Sequence, residues 1–277
     1  MSTPKDRGNL IVIFVAIALA ALIYVFLSGP GAFHFGKLQS NGTSTAGTIF
    51  SQVATSSAGD IGVVSAQTQE LDSADHLNIS VSKPVVSIAG QDQVSQKINQ
   101  DISQTIDAAV SDFKTSASDV TNEPSTSSVT IDFEVVYKNA NQNILSIQLD
   151  QSFYSAGAAH PSHEVVSLNY NTKTGEKITL QSLFVPDVSY LSRLSEFSIQ
   201  ALQNKLGQDA NMDTIQQGAS PDADNFDVFF ITSAGLRIVF NEYQVAPYSL
   251  GVQEITISYD DLKYLYDING PLAPFYK

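Results

Sequence analysis

The sequence predicts an α+β fold in which antiparallel sheet carries helices packed on one face, preceded by an N-terminal transmembrane helix. Three observations lead there. One run of eighteen residues, Leu10 to Leu27, lacks any charge, Gly or Pro. Two later stretches, 91–116 and 187–206, repeat apolar residues at three- and four-residue spacing. The segments around them alternate apolar and polar residues and end in turn signals, and strand runs separated by single helices define the α+β class. Zero cysteines exclude a disulfide framework, a Cys-based zinc site and a thiol nucleophile. With 28 acidic against 14 basic residues, a net charge of −14 opposes a phosphate backbone, so nucleic acid is excluded as a partner.

As a helix, 10–27 reaches roughly 27 Å, close to the thickness of a bilayer's hydrocarbon. Leu27-Ser28-Gly29-Pro30 offers no small-x-small cleavage site, which favours an anchor over a removed signal peptide. Lys5 and Arg7 precede the run and only Lys37 comes soon after it. The positive-inside rule then leaves residues 1–9 as a cytoplasmic tail and exports the rest, a single-pass protein of the cell membrane with an extracytoplasmic bulk. Residues 28–76, rich in Ser, Thr, Gly, Ala and Gln, read as a flexible linker that holds the next domain on the order of 40 Å from the membrane.

The folded part divides into a β-α-β-β subdomain, 77–154, and a C-terminal α+β domain, 155–277. LNISVSKPVVSIAG is enriched in β-branched residues, with Pro84 suggesting an edge position or a bulge. Val94, Ile98, Ile102, Ile106, Val110 and Phe113 form the stripe of the first helix. Val129, Ile131, Phe133, Val135 and Tyr137 alternate along the next strand, and Ile147 and Leu149 along its partner after a turn at 139–143. An extended segment to Tyr170, a turn at 172–175, a second helix at 187–206 and strands at 226–232, 235–243 and 252–259 complete the chain.

Motifs for chemistry are sparse. His160 and His163 flank Pro161, whose ring prevents the helical spacing that aims two histidines at one metal, so no metal ligand, catalytic residue or cofactor is assigned. No Gly-x-Ser-x-Gly elbow supports a serine triad. Asp209, Asn211 and Asp213 imitate the start of a calcium loop, but Thr214 stands where Gly is needed and Ser220 where a bidentate Glu is needed. Asp222, Asp224 and Asp227 lack the same elements and read as a solvated loop. Tyr243, Pro247 and Tyr248 occupy the connection between two predicted strands, where they shape a turn or anchor a partner. The chain has no Trp but 11 Tyr, which can replace it in stacking on a ligand.

Three segments together resemble a family. FNEYQVAPYSLG (Phe240 to Gly251), with the subsequent Ile255-Thr256-Ile257 and Asp261-Leu262, is similar to a signature of the extracytoplasmic domain of the RsiV/PdaC type. NYNTKTGEKITLQSLF resembles that family's strand, turn and "tG…L…lF" segment. YSAGAAH resembles its Gly-Gly-Ala-His loop, with Ala158 at the place of the second Gly. The strand and helix at 77–116 also resemble the smaller domain that precedes it. The resemblance implies an exported, non-enzymatic recognition module on a membrane tether, with lysozyme, another cationic envelope protein or cell-wall glycan as ligand class. An acidic surface suits a cationic partner. The residues expected to meet a ligand are Tyr154 and His160 at the YSAGAAH loop and Tyr243, Pro247 and Tyr248 in the signature. Two other readings compete: a cell-envelope hydrolase or metal-dependent enzyme centred on His160, and a structural envelope subunit.

Overall fold

In a computed structural model, residues 60–72, 76–118 and 125–276 are described. The chain is of mixed α+β class. Six strands form one sheet in simple sequence order: β1 (Ile61–Asp72), β2 (Leu77–Ile88), β3 (Ser127–Asn139), β4 (Ile144–Tyr154), β5 (Ser162–Asn171) and β6 (Glu176–Lys177). Helix α1 (Asp92–Ser118) connects β2 to β3. After it come α2 (Tyr190–Leu206), α3 (Met212–Gly218) and an antiparallel three-stranded sheet of β7 (Phe229–Ile231), β8 (Leu236–Phe240) and β9 (Gln253–Ile257), then the short α4 (Tyr259–Leu262).

Two expectations about the sheet are corrected. Residues 61–72, assigned to the flexible linker, form β1, paired antiparallel with β2 residue by residue from Ile61↔Ile88 to Asp72↔Leu77. Its Ser, Thr, Gln and Ala side chains are mostly exposed or half-buried, so the composition resembles a linker while the backbone is satisfied in a ladder. The sheet is also not wholly antiparallel. Between β2 and β3 the chain runs through a 27-residue helix that returns it to its starting end, so Leu77↔Ser127 to Val81↔Ile131 pair in parallel.

Past Val81 the open side of β2 is taken up by α1. The Asn99 side chain accepts from Val86 N–H at 2.7 Å and donates to Val86 C=O at 2.8 Å, and Ser95 Oγ accepts from Ile88 N–H at 2.9 Å. Pro84 lies two residues before Val86 in that same stretch, where its missing N–H breaks no bond to β3. The α1 stripe Ile98, Ile102, Ile106 and Phe113 is buried against Ile79, Val86, Ile131, Ile147, Leu149 and Leu168.

The opposite face of the same strands is where the expectation of helices on one face gives way to a layered order. In β4, Ile147 and Leu149 face α1, while Ser146 and Gln148 point the other way, toward the second sheet. Ser146 is fully buried. Its hydroxyl donates to Asn169 Oδ1 at 2.6 Å, and Asn169 Nδ2 donates to Phe229 C=O at 2.8 Å. The second sheet alternates correspondingly. Phe229, Ile231, Leu236 and Ile238 pack with Leu194, Leu202 and Ile215 of α2 and α3, whereas Phe230 and Val239 pack on Val165 of β5. The layers therefore run α1, first sheet, second sheet, then α2 with α3.

The membrane helix expected over 10–27, the tail 1–9 and the linker up to residue 59 lie outside the described residues. Among the described residues no helix is long and apolar enough to cross a membrane.

Candidate functional site

The segment from Asn241 to Gly251 leaves β8 at the buried Phe240 and is fixed by amide side chains. Asn241 behaves as a one-residue strand: its Oδ1 accepts from Val165 N–H at 2.8 Å and its Nδ2 donates to Val165 C=O at 3.2 Å. Glu242 Oε2 accepts from His163 N–H at 3.0 Å. Gln244 Nε2 donates to the carbonyls of Gly218 and Asn225, both at 3.0 Å, while its Oε1 accepts from Asn241 N–H at 3.1 Å. Val245 and Ala246 are buried. Loop and signature thereby dock on the edge of β5 that β6 leaves uncovered, since β6 pairs only with Tyr170 and Asn171.

A ledge of three rings stands on this clamp. Tyr243 has a left-handed backbone with φ 67°, a conformation costly for a residue with a Cβ, and the residue is 60% exposed. Pro247 precedes a single 3-10 turn at Tyr248–Leu250 that Gly251 ends at φ 64°. The Tyr248 ring stacks on Tyr243, centroids 5.8 Å apart, and on His160, centroids 3.8 Å apart and 23° from parallel. Tyr248 OH donates to Pro161 C=O at 3.0 Å, tying the signature to the YSAGAAH loop. Partial burial, then the Glu242 carboxylate and Tyr243, push the Tyr248 hydroxyl above its ordinary pKa.

The opposing loop is held as firmly. Ala156 N–H donates to the buried Ser127 hydroxyl at 2.9 Å, and Ala158 N–H to Ser155 C=O at 2.9 Å around Gly157 at φ 83°. Of the residues expected to meet a ligand, the structure joins His160, Tyr243 and Tyr248, with Pro247 shaping their turn. Tyr154 is set apart: it is the last residue of β4, half-buried opposite Ser128, and takes no part in the ring stack.

Elsewhere the acidic motifs serve local structure. Asn211 caps α3, its side chain accepting from Asp213 and Thr214 N–H, and Asp222 caps the 3-10 turn at Ala223–Phe226. Among the described residues no group of three or more His, Asp or Glu is arranged to hold a metal ion. On the far side of β5, Tyr170 is fully buried and its OH donates to Asp101 Oδ2 of α1 at 2.6 Å, while Lys177 lies 3.0 Å from the same oxygen. Burial and the Asp101 carboxylate raise the Tyr170 pKa strongly.

Sequence reasoning passed over Asn241, Glu242 and Gln244, although all three lie inside the Phe240 to Gly251 signature. Polar residues immediately after a run of buried ones, at a strand end, are the available signal, because they can be kept there only by satisfied hydrogen bonds.

The fold and its ledge define a two-sheet α+β protein with a surface aromatic site built across two loops. Within that class, residues 71–163 match the family model described as "Deacetylase PdaC", and residues 181–260 match "Protein of unknown function (DUF3298)". The chain thus carries a PdaC/DUF3298-type domain. It is 24% identical over 188 residues to the peptidoglycan-N-acetylmuramic acid deacetylase PdaC of Bacillus subtilis, a match covering 67% of this chain and 38% of that protein's length. A solved DUF3298-family structure from Bacteroides fragilis superposes with a TM-score of 0.57 at 16% identity, covering 79% of this chain and 97% of that one. Another from Pseudomonas aeruginosa gives 0.51 at 15% identity, covering 75% and 94%. These two share the fold.

The expectation of a chain without enzymatic activity is corrected by these matches. The relative is a peptidoglycan deacetylase and the family model over 71–163 is that of a deacetylase, which points toward enzymatic activity.

Proposed function

We propose that this chain acts in the deacetylation of cell-wall glycan and that the His160–Tyr248–Tyr243 ledge holds the N-acetylated sugar chain. The ledge carries the reading. Its exposed outer rings, Tyr243 and His160, offer stacking surface beside polar atoms, the combination that a pyranose with one apolar face and a rim of hydroxyls requires. A neutral N-acetyl sugar also meets no repulsion from a chain of net charge −14. The deacetylase named among its relatives supports the substrate class. In this reading the apolar run 10–27 tethers the protein to the membrane facing the wall, and cell fractionation with protease protection tests that part.

Titration calorimetry of the full chain with N-acetylglucosamine oligomers, paired with an assay of acetate release from N-acetylated wall fragments, tests the proposal. Binding that Tyr248→Ala abolishes, with acetate released by the wild type, is the expected result. Absence of both binding and release contradicts it. A second reading, a cationic envelope protein such as lysozyme as the ligand, draws support from the acid excess alone. It predicts lysozyme binding that weakens with salt, whereas the affinity for a neutral sugar does not depend on salt.

A further inference from the structure

Two donors converge on the carbonyl of Pro161: the Tyr248 hydroxyl at 3.0 Å and the His160 ring nitrogen Nδ1 at 2.9 Å. A carbonyl oxygen has two lone pairs and no proton, so a hydrogen bond at this distance requires that Nδ1 carry the hydrogen. In a neutral imidazole the other nitrogen, Nε2, is then a bare acceptor. His160 is exposed, and its ring is kept from rotating by the stack on Tyr248 at 3.8 Å. Beside it the Tyr248 hydroxyl donates its hydrogen to Pro161 C=O and Glu242 Oε2 accepts from His163 N–H, whereas the hydroxyl of the exposed Tyr243 both donates and accepts.

We propose that the Pro161 carbonyl locks His160 in the Nδ1–H tautomer, so that Nε2 is a fixed hydrogen-bond acceptor of the ledge, taking a hydroxyl or acetamido N–H of a sugar seated on the outer rings. The inference rests on the glycan reading and adds to it the atom that recognises the sugar's polar rim. His160 and Tyr248 then act as one unit across two loops. Tyr248 backs the imidazole at 3.8 Å, and both rings share one carbonyl that fixes their mutual angle. His160→Phe retains a ring over Tyr248 but removes the acceptor, and loss of one hydrogen bond to a neutral partner weakens binding about 2- to 10-fold.

Long-range proton–nitrogen correlation spectra of the histidine-labelled full chain, with and without an N-acetylglucosamine tetramer, decide it. The expected result is a pyrrole-type Nδ1 and a pyridine-type Nε2 in the free protein, with the Nε2 resonance moving on sugar addition. The reverse tautomer, in a protein that still binds sugar on the ledge, overturns this inference and leaves the glycan reading standing. The same holds for an Nε2 that does not move when sugar binds, or for His160→Phe binding at wild-type strength. If the tautomer is as stated but no sugar binds the wild type, the glycan reading fails and takes the acceptor role with it.

Discussion

Gly218 ends α3 directly beneath the signature, and a Cβ built on it would lie 1.8 Å from the carbonyl oxygen of Gln244. That oxygen belongs to the backbone and cannot swing aside, so Gly218→Ala must displace the loop. The expected cost is about 2–4 kcal/mol in denaturant unfolding, with loss of ligand binding. Asn241→Ala strips both partners from Val165 and is expected to cost about 1–3 kcal/mol. Tyr243 offers the opposite test, because its left-handed backbone is a strained place for a ring that packs on little besides Tyr248. Tyr243→Gly should therefore keep stability within about 1 kcal/mol of the parent while weakening sugar binding. A variant that loses stability and binding together would show the ring to be a packing element.

Helix α1 is the element whose energetics are plainest. Ile102 sits at the centre of its stripe with no exposed surface, and Ile102→Ala should destabilise by about 2–5 kcal/mol. The bond from Tyr170 to Asp101 joins the same helix to β5 and gives it an alkaline weakness. The folded state holds the Tyr170 proton far above the ordinary tyrosine value of 10.0, while the unfolded chain releases it near that value. Folded protein then binds more protons than unfolded, so this contribution is complete below about pH 10 and declines as pH rises beyond it. Urea titrations in alkaline buffers should show that decline, and Tyr170→Phe should flatten it. Periodicity makes α1, α2, β3 and β4 legible in the sequence, since each buries one apolar face. It conceals β1, where few side chains are buried and the backbone ladder alone defines the strand. Parallel pairing of β2 with β3 is a consequence of the helix between them and is missed when residues are read strand by strand.

Across the whole molecule, the layered order α1, first sheet, second sheet, α2 with α3 is the feature sequence patterns hide most. Ser146, Gln148 and Asn169 look like a solvent face, yet they are the polar seam between two sheets, held by Asn169 to Phe229 and Arg237 to Gln148 at 2.6 Å. Polar residues in such a seam are indistinguishable from surface residues until their partners, 23 to 89 positions away, are known. The ledge has the same character. His160 and Tyr248 can be singled out in the sequence as residue types suited to a site, but their stacking depends on a clamp between Asn241 and β5 that no local pattern announces. That clamp makes the ledge a property of the assembled sheets, and its function should disappear whenever the seam is opened. The direct measurement is co-sedimentation of the full chain with purified wall sacculi, before and after chemical removal of their N-acetyl groups. The account predicts that wild-type protein pellets with the acetylated material, that Tyr248→Ala stays in solution, and that deacetylated sacculi retain much less. Equal retention of both proteins on both materials would contradict it.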